Sequence, residues 1–278
     1  MSLILDIDPP PGTLVRFLSD LHLAHKRGRT PSPEALIAEM EGVDILVLCG
    51  DTAETRETCL EREHSIRLRE KLRELCRLRG IRLIELAGNH DPDIEPMLLR
   101  LWGGRVVAMH GHAILKEISP WSREYMSARD EVKRIIAAHP EAETHLETRL
   151  ELARSVTREL SRRVPQPTAR KTPQSKLLRD LHHCFWPPLR PLHIITAWLR
   201  CGARAERWIR RYLPDTEIFI IGHFHRSGRW QYGRRTILNT GAWFELATPY
   251  AVDVKDAKLL SYHPLTCSRN YTTDTPAP

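Results

Sequence analysis

VDILVLCGD, residues 43–51, is an apolar run that stops on an aspartate. A strand with one wet face alternates apolar and polar residues; a strand covered on both faces has no need to. The run therefore predicts a central strand with layers packed on both sides and a carboxylate at its end. Four other segments share this design: LVRFLSD (14–20), IRLIELAGNHD (81–91), RVVAMHGH (105–112) and EIFIIGHFH (217–225). Each ends on or beside Asp, Asn or His. Helical patterns separate the first four, at roughly 33–41, 56–79 and 93–101. Alternating strand and helix predicts an α/β fold. RTILNTGAW, YAVDVKD and KLLSYHP follow as closely spaced strands, expected to be antiparallel.

The interval between His112 and Glu217 breaks this rhythm. It reads as helical over about 125–163 and 193–212, with the Pro-rich basic break PQPTARKTPQSK (165–176) between. The expected organisation is one domain from 1–115 and 214–265, a helical insertion or lid at 116–213, and a polar tail at 266–278. The formal charge of +7 is uneven: residues 116–211 hold 20 Lys and Arg against 11 Asp and Glu, a net of +9. Such a segment suits phosphates, an anionic membrane or nucleic acid. Within it, HIITAWLRCGARAERWIRRYL (193–213) puts Ile194, Ile195, Trp198, Ala205, Trp208, Ile209 and Tyr212 mostly along one face. That pattern fits an interfacial helix on an anionic membrane, and equally a core-facing helix with a solvated basic face.

The apolar fraction is 41%, ordinary for a globular chain. No apolar run reaches the ~20 residues of a membrane span. The N-terminal MSLILDIDPPPG lacks a basic region and carries Asp6 and Asp8, unlike a signal peptide. Six cysteines without a CxxC pair argue against a zinc knuckle or a disulfide framework. A reducing, cytoplasmic setting is expected.

The chemistry lies at the strand ends: Asp20 and His22, Asp51, Asn89 and His90, His110, and His223 and His225. In α/β sheets, ligands bind just outside the carboxyl ends of strands, so these groups can converge. Oxygen and imidazole donors without thiolate select Mn, Fe, Zn or Mg. The donors exceed what one ion needs and suit two ions sharing a carboxylate, ~3.5–4 Å apart.

In order these segments read DLH, GDTAE, GNHD, MHGH and GHFH. They resemble the calcineurin-like metallophosphoesterases, whose pattern is D-x-H, GD, GNH[DE], H and GHxH, over about 15–253 excluding the insertion. The resemblance implies a sandwich of two mixed β-sheets flanked by helices. It implies that Asp20, His22 and His225 hold one divalent ion, Asn89, His110 and His223 a second, and that Asp51 bridges them. Mn is expected, with Fe, Zn or Mg as alternatives. It further implies that His90 faces the substrate phosphate as a proton donor and that Asp91 orients it. GGRVVAMHGHAI and GRRTILNTGAW are also similar to segments of the UDP-2,3-diacylglucosamine hydrolases. Those relatives carry a helical lid after the HG strand and cleave a nucleotide-lipid pyrophosphate at a membrane surface. The chain departs from them at His90, where they typically have Arg, and at His112, where they usually have Asp. The expected partner is a phosphate-containing small molecule or nucleotide lipid, with peripheral membrane contact through the insertion. The alternative is a nuclease or cyclic-nucleotide phosphodiesterase, with Arg162, Arg163, Arg170 and Lys171 holding a backbone. A third reading is a non-catalytic binding module on the same scaffold. His25 and His112 stand near the site as candidate substrate contacts or as solvated loop residues.

Overall fold

A computed structural model describes residues 2–25, 28–30, 32–56, 59, 61–163, 190–244 and 247–265. The Pro-rich break at 165–176, Arg170, Lys171 and the tail at 266–278 lie outside the described residues.

VDILVLCGD forms β3 (Ile45–Cys49), and every residue of it is buried. Alternate side chains leave opposite faces of a strand. Ile45, Val47 and Cys49 accordingly enter one apolar cluster, and Leu46 and Leu48 another. The run is apolar throughout because both faces are covered. Beside β3 run β2 (Leu14–Leu18) and β4 (Arg82–Leu86), both parallel to it. The antiparallel strands β10 (Tyr250–Lys255) and β11 (Lys258–Pro264) complete a five-stranded mixed sheet in the order β11-β10-β2-β3-β4. Helix α1 (Arg62–Leu78) covers its outer face, with Leu72 and Cys76 against Leu46 and Leu48.

The second sheet has six strands. They are β1 (Ile4–Ile7), β5 (Leu98–Leu101), β6 (Val106–Met109), β7 (Ile218–Ile221), β8 (Gly228–Tyr232) and β9 (Arg235–Asn239), in the order β1-β5-β6-β7-β9-β8. β6, β7 and β9 run parallel to one another. Leu99, Leu101, Val106, Ala108, Ile218 and Ile220 meet Phe17, Val47 and Ile84 between the sheets. The expected sandwich of two mixed sheets flanked by helices is the observed fold.

Three expectations change. The pattern of 93–101 predicts a helix, yet Leu98–Leu101 is β5. Pro96 removes a backbone donor inside that window, and pairing with β1 and β6 buries the LLRL run. The segment 33–41 forms two short 3-10 turns, Pro33–Leu36 and Ala38–Met40, rather than an α-helix. RTILN joins the six-stranded sheet, parallel to β7 and antiparallel to β8; among the three late segments, only YAVDVKD and KLLSYHP pair with each other.

Helices α2 (Arg123–Ala137), α3 (Leu146–Arg162) and α4 (Arg190–Tyr212) occupy the interval after β6. They share one core with the outer face of the six-stranded sheet. Val132, Leu150, Val156, Ala205 and Ile209 cluster with Val107, Phe219 and Ile221. Trp208 stacks on Phe219 at 5.7 Å between ring centres. The apolar face of α4 is therefore spent mainly on the sheet. Only Leu192, Ile195 and Leu199 remain as large exposed apolar side chains on this helix among the described residues.

Candidate metal centre

All the expected site residues stand at the carboxyl ends of β2, β3, β4, β6 and β7. Backbone bonds extend the ladder of each sheet along this edge, and Trp243 N–H donates to Asp20 O at 3.1 Å between the sheets. Asp20 N–H donates to Gly50 O at 3.1 Å, and Gly222 N–H donates to His110 O at 2.9 Å. The turns leave no room for side chains at three glycines. A Cβ at Gly50 would strike His110, one at Gly88 the Asp51 carboxylate, and one at Gly222 the Asp20 carboxylate. That is the physical content of the glycine in GD, GNHD and GHFH. Asp20, His22, Asp51, His223 and His225 all hold φ between 47° and 69°. The left-handed region is unfavourable for a residue with a Cβ, and it persists where convergence of side chains over-determines it.

One group of donors is Asp20, His22, Asp51 and His225, whose ligand atoms all lie within 4.8 Å of one another. His225 Nε2 is 3.1 Å from Asp20 Oδ1, and His22 Nε2 is 3.4 Å from His225 Nε2. Asp51 links this group to the next: its Oδ2 is 3.8 Å from His22 Nε2 and 3.3 Å from His110 Nε2. His110 Nε2 in turn lies 3.1 Å from Asn89 Oδ1, and the His110 and His223 rings are 5.1 Å apart. The structure thus brings all seven expected ligands into two groups that meet at Asp51.

The donor atoms are aimed by their neighbours. His22 Nδ1 pairs with Glu54 at 2.9 Å, His110 Nδ1 with Cys49 O at 2.9 Å, and His223 Nε2 with Ile118 O at 3.1 Å. Each contact places a proton on the ring nitrogen that faces the protein and leaves a lone pair on the other. Asp20 Oδ1 is buried, and its near neighbour, His225 Nε2 at 3.1 Å, does not meet it with hydrogen-bond geometry. Burial works to raise the Asp51 carboxyl, but His110, His90 and His22 outweigh it and hold it well below the usual range. Burial works to lower His110, but Asp51 and Asp20 outweigh it and push it up to about 9. A site that draws a proton this strongly favours a divalent cation in the same place. Convergent lone pairs, an orphaned carboxylate oxygen and an excess of negative charge fit the expected divalent ions.

His90 corrects one expectation. Its Nδ1 meets Glu54 at 2.8 and 2.9 Å, not Asp91. Asp91 is fully buried and accepts from the N–H groups of Gly88 at 2.7 Å, Asp51 at 3.0 Å and Thr52 at 2.7 Å. It shapes the two turns rather than the imidazole. Burial and Asp51 raise its carboxyl to about 7. Glu54 is the functional carboxylate that sequence reasoning missed, although GDTAE displays it three residues after Asp51. For His90, burial and Arg56 pull the pKa down, while Glu54 and Asp51 outweigh them and raise it.

Phe244 was also missed. It stacks on His22 at 4.6 Å and lies 5.1 Å from His225. His25 sits exposed at the rim, edge-on to Phe244 at 5.0 Å. His112 is no solvated loop residue: it is buried, 5.4 Å from the His110 ring, and neither ring nitrogen has a hydrogen-bond partner.

The site opens into a cleft of about 370 Å³. Asp51, Asn89, His90, His223 and His225 form its floor, with Arg56 beside them. The insertion supplies Ile118, Trp121, Leu160, Ile194 and Trp198. Trp198 Nε1–H donates to Phe224 O at 2.7 Å, which ties α4 to the GHFH turn.

The profile of the family described as calcineurin-like phosphoesterase matches residues 14–227, most of the chain. The chain belongs to this family. It is accordingly a metallophosphoesterase, a hydrolase of phosphoester bonds, and its residues and family together point to a dinuclear divalent-metal site. Solved structures give more distant similarities. A dimetal phosphatase from Danio rerio has 13% identity, with 89% of this chain and 94% of that chain covered and a TM-score of 0.45. A cold-active protein-tyrosine phosphatase of a Shewanella species has 12% identity, coverage of 96% and 83%, and a TM-score of 0.44. Zinc-complexed Vps29 from Entamoeba histolytica has 11% identity, coverage of 92% and 100%, and a TM-score of 0.34. No curated protein matches the sequence.

Proposed function

We propose that the chain hydrolyses a nucleotide-lipid pyrophosphate of the UDP-2,3-diacylglucosamine type, with two Mn ions as its working metals. One observation carries the reading: a single cleft joins the carboxylate–imidazole floor to a wall of the insertion in which Ile118, Trp121, Leu160, Ile194 and Trp198 stand among hydroxyl side chains and Glu124. Such a cleft suits a substrate that is charged at the reacting phosphorus and apolar beyond it. The similarity of GGRVVAMHGHAI and GRRTILNTGAW to the corresponding hydrolases supports the same substrate.

In this reading Asp20, His22 and His225 hold one ion, Asn89, His110 and His223 the other, and Asp51 both. The ions, when bound, polarise the phosphoryl group and acidify water. The chain does the rest. Glu54 holds His90 by its Nδ1, which favours the protonated imidazole and directs Nε2 into the cleft. From there His90 neutralises phosphoryl oxygens and donates a proton to the leaving group. Asp91 fixes the turns that carry Asp51 and Asn89. The Trp121 and Trp198 side of the cleft excludes water and holds the apolar portion of the substrate.

Leu192, Ile195 and Leu199 recur at one face of α4 and are exposed. They support peripheral contact with the inner face of a membrane. The free thiols of Cys49, Cys59, Cys76 and Cys201 suit a reducing cytoplasm. Among the described residues, no helix is long and apolar enough to cross a membrane.

The test is Mn²⁺-dependent hydrolysis of UDP-2,3-diacylglucosamine, with bis-p-nitrophenyl phosphate in the same series. Release of UMP is expected. Cleavage of the nitrophenyl ester alone would discard the lipid substrate and direct attention to nucleic acids and cyclic nucleotides.

A further inference from the structure

The metal cleft leaves much of the insertion's charge unused. A second cavity, of about 330 Å³, is lined only by residues between 114 and 212. Arg204, Arg207 and Arg211 line it from α4. Their spacing of three and four residues puts them on one helical face. Lys116 and Arg149 line it from the other side. Glu143 is the one acid in this lining, and it is already shared by Lys116 and Arg211.

Two donors at this cavity are buried without a strong acceptor. Arg149 is 3% exposed, and its Nε and Nη2 both donate to a single backbone carbonyl, Ala113 O, at 2.8 and 2.6 Å. It has no carboxylate ion pair among the described residues. A guanidinium has five N–H donors, and a buried one without a counter-ion is costly. Burial lowers its pKa from the ordinary value. Trp208 is 5% exposed, and its Nε1–H is buried with no hydrogen-bond partner. Buried donors behind a cationic rim complement a compact anion with several acceptor oxygens. Phosphate meets that description, and the planar fork of arginine matches it.

We propose that this cavity is a second ligand site, separate from the metal centre, which binds a phosphate-bearing anion through Arg149, Arg204, Arg207 and the Trp208 indole. The anion is a soluble diphosphate or the headgroup of an anionic lipid, which offer the same oxygens.

The experiment follows the indole N–H signals of ¹⁵N-labelled, Mg-loaded protein during titration with inorganic pyrophosphate in excess Mg²⁺. A parallel titration uses vesicles of phosphatidylglycerol, with phosphatidylcholine vesicles as control. Trp208→Phe assigns the Trp208 signal and removes its donor while keeping an aromatic ring. Trp121 and Trp198 line the metal cleft, so their signals report occupancy there independently. A saturable shift of Trp208, at least tenfold weaker in an Arg204→Gln/Arg207→Gln variant, is the expected result. Both arginines are at least partly exposed, so that variant should fold. Its hydrolysis of bis-p-nitrophenyl phosphate should be unchanged. A response to pyrophosphate identifies a soluble ligand; a response to phosphatidylglycerol vesicles alone identifies a headgroup. A Trp208 signal unmoved by both probes, or moved equally in the double variant, would overturn the proposal.

Discussion

Glu54 holds His22 through one oxygen and His90 through both, at 2.8–2.9 Å. One carboxylate thereby orients a ring assigned to an ion and a ring assigned to substrate. Loss of such an orienting partner typically lowers metal affinity or activity about 10–100-fold. Glu54→Gln keeps the shape and removes the charge, and should fall in that range on bis-p-nitrophenyl phosphate. His90→Ala should lower turnover by about 10²–10⁴, as loss of a general acid does, while metal content per chain stays that of the wild type. Loss of one metal equivalent in His90→Ala would instead make His90 a ligand. The residues expected as ligands were legible as one converging set because each sits in a short motif at a strand end. Glu54 and Phe244 were not. Their roles depend on which rings the turns after β3 and β9 bring against them, and no spacing rule in the sequence records that. Asp91 departs from the role the resemblance implied for it, because the turn aims its carboxylate at three backbone N–H groups and not at His90.

Among the elements, the centre of the five-stranded sheet was the most legible part. β3 is apolar throughout because both its faces are covered, and β2 and β4 beside it keep a majority of apolar residues, so these runs stand out. β1, β5 and β8 were not read as strands. Each has four or five residues; β1 and β5 pair with each other across some ninety residues of sequence, and β8 is an edge strand held by the hairpin with β9. The tight turns at the strand ends give a direct test. Gly88→Ala would press a methyl group into the Asp51 carboxylate, so bound metal should fall although no ligand has changed. Wild-type metal content in a folded Gly88→Ala protein would contradict this. A second test concerns the seam between β2 and β10. Arg16 Nε and Nη2 donate to the two oxygens of Asp253 at 2.7 and 2.8 Å, with both side chains about nine-tenths buried. Burial works to raise the Asp253 carboxyl, but Arg16 outweighs it and lowers it. A carboxylate lowered on folding stabilises the protein above its unfolded pKa of roughly 3.9, and that contribution is lost as pH falls through the folded value. Asp253→Asn should therefore cost about 1.5–3 kcal/mol at pH 7, the range for a hydrogen bond to a charged group. Its deficit should shrink in urea melts near pH 3. An equal deficit at both pH values would contradict the sign.

For the whole molecule, alternation of strand and helix pointed to the α/β class, the resemblance to the calcineurin-like metallophosphoesterases implied the two-sheet sandwich, and the order of the motifs placed one site on one edge. Where the insertion would lie was harder to read. The periodicity of 193–213 defines an apolar face but not what covers it, and the answer is mainly the six-stranded sheet. Packing against that sheet sets α2, α3 and α4 beside the cleft, where Trp121 and Trp198 line it. Trp198→Ala should consequently raise KM for UDP-2,3-diacylglucosamine and change KM for bis-p-nitrophenyl phosphate little. Equal effects on the two substrates would place Trp198 outside substrate recognition.

The central claim is that Asp51 joins two metal groups into one hydrolytic centre. Its most direct test is metal content per chain, by elemental analysis, together with Mn²⁺-dependent hydrolysis of bis-p-nitrophenyl phosphate, for the wild type and Asp51→Asn. The account predicts about two equivalents and turnover in the wild type. For a folded Asp51→Asn protein it predicts fewer equivalents and a loss beyond the roughly 100-fold of an outer-shell change. Full activity in a well-folded Asp51→Asn protein would contradict it.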